Sequence, residues 1–157
     1  GIRLPENFNA PYLKPNLTRF WDNWHIPLTQ WFRAYVFNPL TRLLRTKART
    51  LPAWLVILIT QLSTMVLIGL WHGMTLNFIL WGLWHGFGLF INNRWSSAAH
   101  PLTTRVQARP ALNHLVTALS ILLTFTYVSL GWVWFALPDV STSLKVLASL
   151  FGIGGGA

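Results

Sequence analysis

The pentapeptide Gly-Leu-Trp-His-Gly occurs twice in this chain, at residues 69–73 and 82–86, and each copy places a histidine beside a tryptophan. Both copies lie within residues 50–93, a stretch without Asp, Glu, Lys or Arg. An ionisable side chain is costly in hydrocarbon, and it usually faces a bundle interior or a water-filled path, where it carries chemistry. His72 and His85 are therefore candidates for a functional site.

His25 is a third candidate, because Asp22 precedes it by three residues. On one continuous helix the two side chains would share a face, and the carboxylate would fix the tautomer of the imidazole. The alternative is an interfacial histidine beside a salt-bridged neighbour. His100 and His114 lie in or beside a polar stretch, so we expect both to be solvated.

General-base catalysis is the chemistry that these histidines suit best. A desolvated imidazole stays neutral and can accept a proton from a hydroxyl group. An oxyanion that develops in such a reaction needs hydrogen-bond donors. The candidate donors are the indole N–H groups of Trp71 and Trp84 and the side-chain amides of Asn77 and Asn23.

The same residues also fit roles outside acid–base catalysis. The glycines of each pentapeptide have the small-xxx-small spacing that lets membrane helices pack closely, and His85 would be structural if it bonded a carbonyl. A metal site has few ligands, since the chain lacks Cys and an H-x-x-x-H spacing. A bis-histidine haem between His72 and His85 stays an alternative. Ser-His-Asp catalysis is disfavoured because G-x-S-x-G is absent.

The composition is that of a membrane protein. Hydrophobic residues make up 53% of the chain and charged residues only 10%, whereas a soluble domain has about 25% charged residues. The net charge of +9 comes from 12 Lys and Arg against 3 Asp and Glu. These basic residues flank apolar runs instead of forming one patch, which favours anionic lipid as the partner and argues against nucleic acid.

The elements that must position the histidines are predicted to be helices. Apolar residues recur at helical spacing over 17–37, where Pro27 should break or kink an interfacial or re-entrant pair. The basic segment 38–50 is predicted to be a cytoplasmic loop, and 94–110 a second polar loop. Apolar helices are predicted at 53–70, 76–91 and 114–137, with a break at 73–75, and a short amphipathic segment follows at 143–153.

Three segments carry a family resemblance. The run Arg19-Phe-Trp-Asp-Asn-Trp-His25, which continues to Leu40, resembles a signature of the membrane-bound O-acyltransferases, bacterial branch. Residues 69–73 resemble the second signature of that family. The segment Gly131-Trp-Val-Trp-Phe135 is similar to alginate and cell-wall polysaccharide O-acetylation proteins, which favours that branch over teichoic acid D-alanylation. Ala34 and Ala136 depart from the usual residues at their positions.

The resemblance implies an all-α, multi-pass protein of the bacterial cytoplasmic membrane, with transmembrane, re-entrant and interfacial amphipathic helices. It also implies that residues 1–157 form one membrane domain, the C-terminal half of a longer helical enclosure. His72 would be the catalytic base and His25 its second essential residue. The residues that we expect to support them are His85, Trp71, Asn77 and Asp22.

The implied reaction moves an acyl group, expected to be acetyl, from a cytoplasmic thioester to a hydroxyl of an extracytoplasmic polymer. The donor would be acyl-coenzyme A or an acyl carrier protein, acting as a co-substrate, with no tightly bound cofactor. A periplasmic or extracellular acyltransferase is an implied partner. The basic residues at 42–49 would suit donor phosphates, an acidic carrier protein or anionic lipid. A non-catalytic membrane scaffold is the remaining alternative.

Overall fold

The computed structural model of the chain describes residue 1 and residues 4–153, except for the side chain of Arg105. The sequence predicts a single domain over residues 1–157, of which residues 2, 3 and 154–157 lie outside the described residues. Each regular element in the described part is a helix. After a 3₁₀ turn at Pro11–Leu13, the α-helices are α1 (Leu17–Asn23), α2 (Ile26–Phe32), α3 (Asn38–Lys47), α4 (Ala53–His72), α5 (Leu76–Ala98), α6 (His100–Gln107), α7 (Pro110–Ala136) and α8 (Val140–Leu150).

Among the described helices, α4 and α7 are long and apolar enough to cross a membrane. Helix α5 covers the segment expected at 76–91 and continues to Ala98. Its buried face carries Asn77 and His85 among small and aromatic residues, so it is less apolar than α4. The three long helices therefore combine two candidate spans with one helix that brings polar groups inside.

Helices α4 and α5 form a tight hairpin, and residues 73–75 between them are not helical. Gly82 of α5 lies on the backbone of α4, because an added Cβ would come within 2.6 Å of the Met65 carbonyl oxygen and 2.7 Å of Val66 Cα. Gly69 of α4 lies against the carbonyl of Phe78 in the same way. The first glycine of each pentapeptide thus permits the close helix packing expected from the small-residue spacing.

Helices α5 and α7 are joined by a reciprocal pair of hydrogen bonds. The Trp84 indole N–H donates to the Tyr127 carbonyl oxygen at 3.1 Å, and the Tyr127 hydroxyl donates to the Trp84 carbonyl oxygen at 2.5 Å. The two rings stack with their centroids 4.8 Å apart. This pair fixes the register of α7 on α5, beside the buried His85.

The two polar segments expected to be loops are largely helical. Residues 38–50 contain α3, and residues 94–110 contain the end of α5 and α6. Pro39 and Pro101 each occupy a first-turn position of their helix. A proline is compatible with the start of α6 because its missing N–H would have no partner there. Pro39 follows a π-helical segment at Arg33–Phe37, where the helical hydrogen-bond pattern changes. Charge alone therefore misled the interpretation of both segments. Segment 143–153 is predicted to be a short amphipathic or incomplete segment, and α8 covers most of it.

Candidate active site

His25 and His72 line the same cavity, which has a volume of about 400 Å³. His25 lies at the junction of α1 and α2, and His72 is the last residue of α4. The rest of the lining is aromatic or aliphatic: Tyr12, Trp21, Trp24, Leu28, Ile68, Trp81, Trp132 and Phe135. The fold thus brings together the two histidines that the sequence singled out, in a chamber with few other polar groups.

His72 is held by aromatic rings from three sides. Its ring centroid lies 4.8 Å from Trp71, 4.9 Å from Phe135 and 5.8 Å from Trp81. The sequence predicts a desolvated imidazole here, but the described residues leave His72 exposed. The physical reason is its place at the end of α4, where Gly73 begins the turn into α5.

His25 has a left-handed backbone, with φ 44° and ψ 54°. This conformation is uncommon for a residue other than glycine and is unfavourable by about 1–2 kcal/mol. The surrounding backbone holds it in place, because Ile26 N–H donates to Asn7 O at 2.9 Å and Thr29 N–H donates to His25 O at 2.9 Å. Strain of this kind is concentrated at functional sites.

The expected pairing of Asp22 with His25 is wrong. Helix α1 ends at Asn23, and the reversal at His25 prevents the two side chains from sharing one helix face. Asp22 forms an ion pair with Arg33 instead. The Nδ1 atom of His25 is buried and has no hydrogen-bond partner among the described residues. Asp22 therefore does not fix the tautomer of His25.

Trp71 lies against both histidines. Its ring centroid is 6.1 Å from that of His25, with the planes at 85°, and 4.8 Å from that of His72, with the planes at 80°. The other three candidate oxyanion donors have partners elsewhere. Trp84 donates to Tyr127 O, Asn23 donates to Arg19 O, and Asn77 donates to Leu137 O and to Ser143 Oγ. None of these three side chains lines the cavity of His25 and His72.

His85 is completely buried and does not reach the cavity. Neither of its ring nitrogens has a hydrogen-bond partner among the described residues, so the expected bond to a carbonyl is not formed. An added Cβ at Gly131 would lie 2.9 Å from His85 Nε2. A haem iron would need the space in front of that nitrogen, and the backbone of α7 occupies it. The described residues also contain no cluster of three or more His, Cys, Asp or Glu side chains suited to a metal ion.

Several residues of the cavity were missed by the sequence interpretation. Trp132 and Phe135 come from α7, and Tyr12 comes from the approach segment, where its hydroxyl accepts a hydrogen bond of 3.1 Å from the Trp132 indole N–H. Trp132 and Phe135 are three residues apart, which places them on one helical face. That spacing was the available signal. No sequence signal pointed to Tyr12, because its position in the cavity depends on how the irregular N-terminal segment folds onto the helices.

A second cavity, of about 310 Å³, adjoins the first. Trp21 and Ile68 line both cavities and thus form a common wall. The second cavity has a polar side, to which Asp22, Arg33, Gln61 and Asn93 contribute. The buried Oε1 of Gln61 has no hydrogen-bond partner among the described residues. One chamber is therefore nearly apolar and holds the histidines, and its neighbour offers hydrogen-bonding groups.

The chain is similar to known proteins over most of its length. The sequence model of MBOAT, the membrane-bound O-acyltransferase family, matches residues 1–134. The peptidoglycan O-acetyltransferase of Helicobacter pylori is 32% identical over 99% of the chain, and the probable alginate O-acetylase of Azotobacter vinelandii is 33% identical over 98%. The teichoic acid D-alanyltransferase of Bacillus subtilis is 32% identical over 87%. The chain spans 26%, 27% and 33% of the lengths of these relatives. The chain belongs to the membrane-bound O-acyltransferase family.

Proposed function

We propose that this chain carries the catalytic histidines of a membrane-embedded O-acyltransferase. The enzyme would transfer an acyl group, most simply acetyl, from a cytoplasmic thioester to a hydroxyl of an extracytoplasmic polysaccharide or cell-wall polymer. The observation that carries the proposal is the single cavity lined by both His25 and His72. We place the protein in the bacterial cytoplasmic membrane as a multi-pass protein, with α4 and α7 as two of its spans.

In this mechanism His72 acts as the general base. Its neutral imidazole accepts the proton of the acceptor hydroxyl while the oxygen attacks the thioester carbonyl. The tetrahedral intermediate then collapses, the carbon–sulfur bond breaks, and the imidazolium returns the proton to the departing thiolate. The products are an ester and a free thiol, and no other reactant is needed.

His25 and Trp71 complete the reacting centre in this proposal. The strained backbone of His25 fixes its imidazole in the cavity, where it positions the donor or relays the proton. The indole N–H of Trp71 is the donor that remains for the oxyanion, because the other three candidates have partners elsewhere. The contacts of the Trp71 ring with both histidines place that donor beside the reacting groups.

The donor would reach this centre from the side of α3. Arg42, Arg45, Lys47 and Arg49 are exposed there, and no acidic residue lies between them in the sequence. Their positive charge suits the phosphates of acyl-coenzyme A or an acidic acyl carrier protein, and anionic lipid headgroups would use the same charge. The donor is a co-substrate in this scheme, and the protein needs no resident cofactor for it.

The acceptor is proposed from the relatives. Two of those named above are an acetyltransferase for peptidoglycan and a probable acetylase for alginate, and the third transfers D-alanine to teichoic acid. Polymers outside the cytoplasm are the feature that these three names share. A periplasmic or extracellular acyltransferase that receives the acyl group, or completes its transfer, is the protein partner that we propose.

Complementation tests this function. The gene is expressed from its complete coding sequence in a bacterium that lacks its own polymer O-acetylation, and acetate released by mild base from the wall or exopolysaccharide is measured. We expect ester-linked acetate with the wild type and with His100→Ala, since His100 is exposed on α6. We expect none with His72→Ala. Ester levels that are equal for His72→Ala and the wild type would refute the catalytic role.

A further inference from the structure

A closed group of polar side chains lies behind the wall of the histidine cavity. The ring of His85 is 5.2 Å from that of Trp21 and 5.0 Å from that of Trp81, and the two indoles are 5.8 Å apart, all between centroids. The exposed fractions are 0% for His85, 4% for Trp21 and 1% for Trp81. Both indole nitrogens and both imidazole nitrogens lack a hydrogen-bond partner among the described residues.

The donors and acceptors of this cluster do not match one another. An indole nitrogen only donates, and a neutral imidazole offers one donor and one acceptor. The three side chains therefore supply three donors and a single acceptor. The nearby Tyr127 hydroxyl does not correct this, because none of the four ring nitrogens forms a hydrogen bond with it. Each buried polar group left unpaired costs about 1–3 kcal/mol.

We propose that His85, Trp21 and Trp81 enclose one bound water molecule. Its oxygen accepts hydrogen bonds from both indoles, and one of its protons is donated to the Nδ1 atom of His85, since the α7 backbone lies against Nε2. A water with three such partners is typical of buried sites in proteins. Water is also the smallest ligand that has two lone pairs for the two indoles and a proton to give to His85.

This site gives the second pentapeptide a task distinct from that of the first. Trp21 and Trp81 line the cavity of His25 and His72, and Trp81 packs against His72 with centroids 5.8 Å apart. The water would therefore fix the orientation of two indoles that shape the reacting centre. His85 acts as a positioning residue, and this catalytic consequence rests on the proposed function.

Gly131 supports the arrangement from α7. An added Cβ at this position would lie 2.9 Å from His85 Nε2, 3.0 Å from Trp84 Cδ1 and 3.1 Å from Trp84 Nε1. The glycine thus lets the helix backbone close over the imidazole.

Indole N–H signals test the water directly. The full-length protein is labelled with ¹⁵N at the tryptophan indoles, and the signals of Trp21 and Trp81 are assigned with Trp21→Phe and Trp81→Phe. We expect cross-relaxation between both indole protons and a long-lived water in the wild type. His85→Phe keeps a ring but removes the acceptor, and it should abolish that signal. His85→Gln, which restores a donor and an acceptor, should recover it, and His100→Phe is the control.

The catalytic readout is separate from the spectroscopic one. We expect His85→Phe to lower kcat several-fold at unchanged KM for the donor, and His85→Gln to restore part of the loss. Indole signals that show no water in the wild type, or that His85→Phe leaves unchanged, would overturn the water site. If His85→Phe does not fold, the wild-type and His85→Gln spectra decide. If the water is found but the wild type transfers no acyl group, the proposed function fails and the site stands.

Discussion

His25 and His72 face one cavity, although one side chain comes from the junction of α1 and α2 and the other from the end of α4. Two features of the backbone produce this meeting. The left-handed conformation of His25 reverses the chain after α1, and the non-helical residues 73–75 end α4 just after His72. The site therefore depends on two helix ends, and substitutions that alter helix packing should disturb it.

Replacing Gly82 should show how tightly α4 and α5 pack. In Gly82→Ala the new Cβ would meet the backbone of Met65 and Val66, which cannot move aside. We expect overpacking to lower the free energy of unfolding by about 1–3 kcal/mol, partly offset by about 1 kcal/mol from the higher helix propensity of alanine. Thermal unfolding of the purified protein in detergent measures this change in stability. Gly86→Ala is the matched comparison: its added Cβ would lie 3.0 Å from Leu62 Cδ2 and 3.1 Å from Leu62 Cα, farther than at Gly82, so we expect a smaller loss. Equal destabilisation by both changes would contradict this packing.

Asn77 should prove to be a structural residue. Its amide donates to Leu137 O at 2.9 Å and to Ser143 Oγ at 3.1 Å, and it thus joins α5 to the segment between α7 and α8. Asn77→Ala leaves a buried acceptor unpaired, so we expect a loss of about 1–3 kcal/mol in unfolding free energy. Asn92→Ala removes an exposed bond to Thr18 and should cost much less. A stable Asn77→Ala protein with abolished acyl transfer would mean that Asn77 acts in the reaction.

Asp22 should be coupled to Arg33 and not to His25. The side chains of this ion pair are 38% and 50% exposed, so solvent screens their attraction. A double-mutant cycle with Asp22→Asn and Arg33→Gln should give a coupling energy of about 0.2–1 kcal/mol. The pH profile of acyl transfer by Asp22→Asn should match that of the wild type. A profile displaced along the pH axis would show that Asp22 does act on the imidazole of His25.

Asp139 should make the start of α8 sensitive to acid. Thr142 donates its backbone N–H to Oδ1 at 2.9 Å and its hydroxyl to Oδ2 at 2.8 Å, and these bonds hold the pKa of Asp139 below its ordinary value of 3.8. Because the pKa of Asp139 is lower in the folded protein than in the unfolded chain, its ionised carboxylate stabilises the helix start above pH 3.8. This stabilisation is lost as the pH falls through the lowered pKa. Hydrogen exchange of the backbone amides of residues 140–143, corrected for the intrinsic exchange rate, measures the stability of this helix start as a function of pH. Asp139→Asn keeps an acceptor that does not titrate, and a wild-type pH dependence in that variant would contradict the assignment.

The long apolar helices were predictable from the sequence, because uninterrupted apolar runs and helical spacing mark α4, α5 and α7. The hydrogen-bond partners of particular polar side chains were not predictable from the sequence. Asn77 and Trp84 were candidate oxyanion donors, and each instead bonds a carbonyl that is distant in the sequence. The backbone at His25 is held by the hydrogen bond from Ile26 N–H to Asn7 O, and Asn7 also lies outside the local sequence pattern. Local sequence therefore indicated the histidines, and tertiary contacts decide which neighbours serve them.

The most direct test of the central claim is the rate of acyl transfer by purified full-length protein carrying His72→Ala. If His72 is the general base, kcat should fall by about 10²–10⁴-fold, with the KM for the thioester donor unchanged. His114→Ala, which alters an exposed residue of α7, should transfer at the wild-type rate. A folded His72→Ala protein that transfers the acyl group as fast as the wild type would contradict the account.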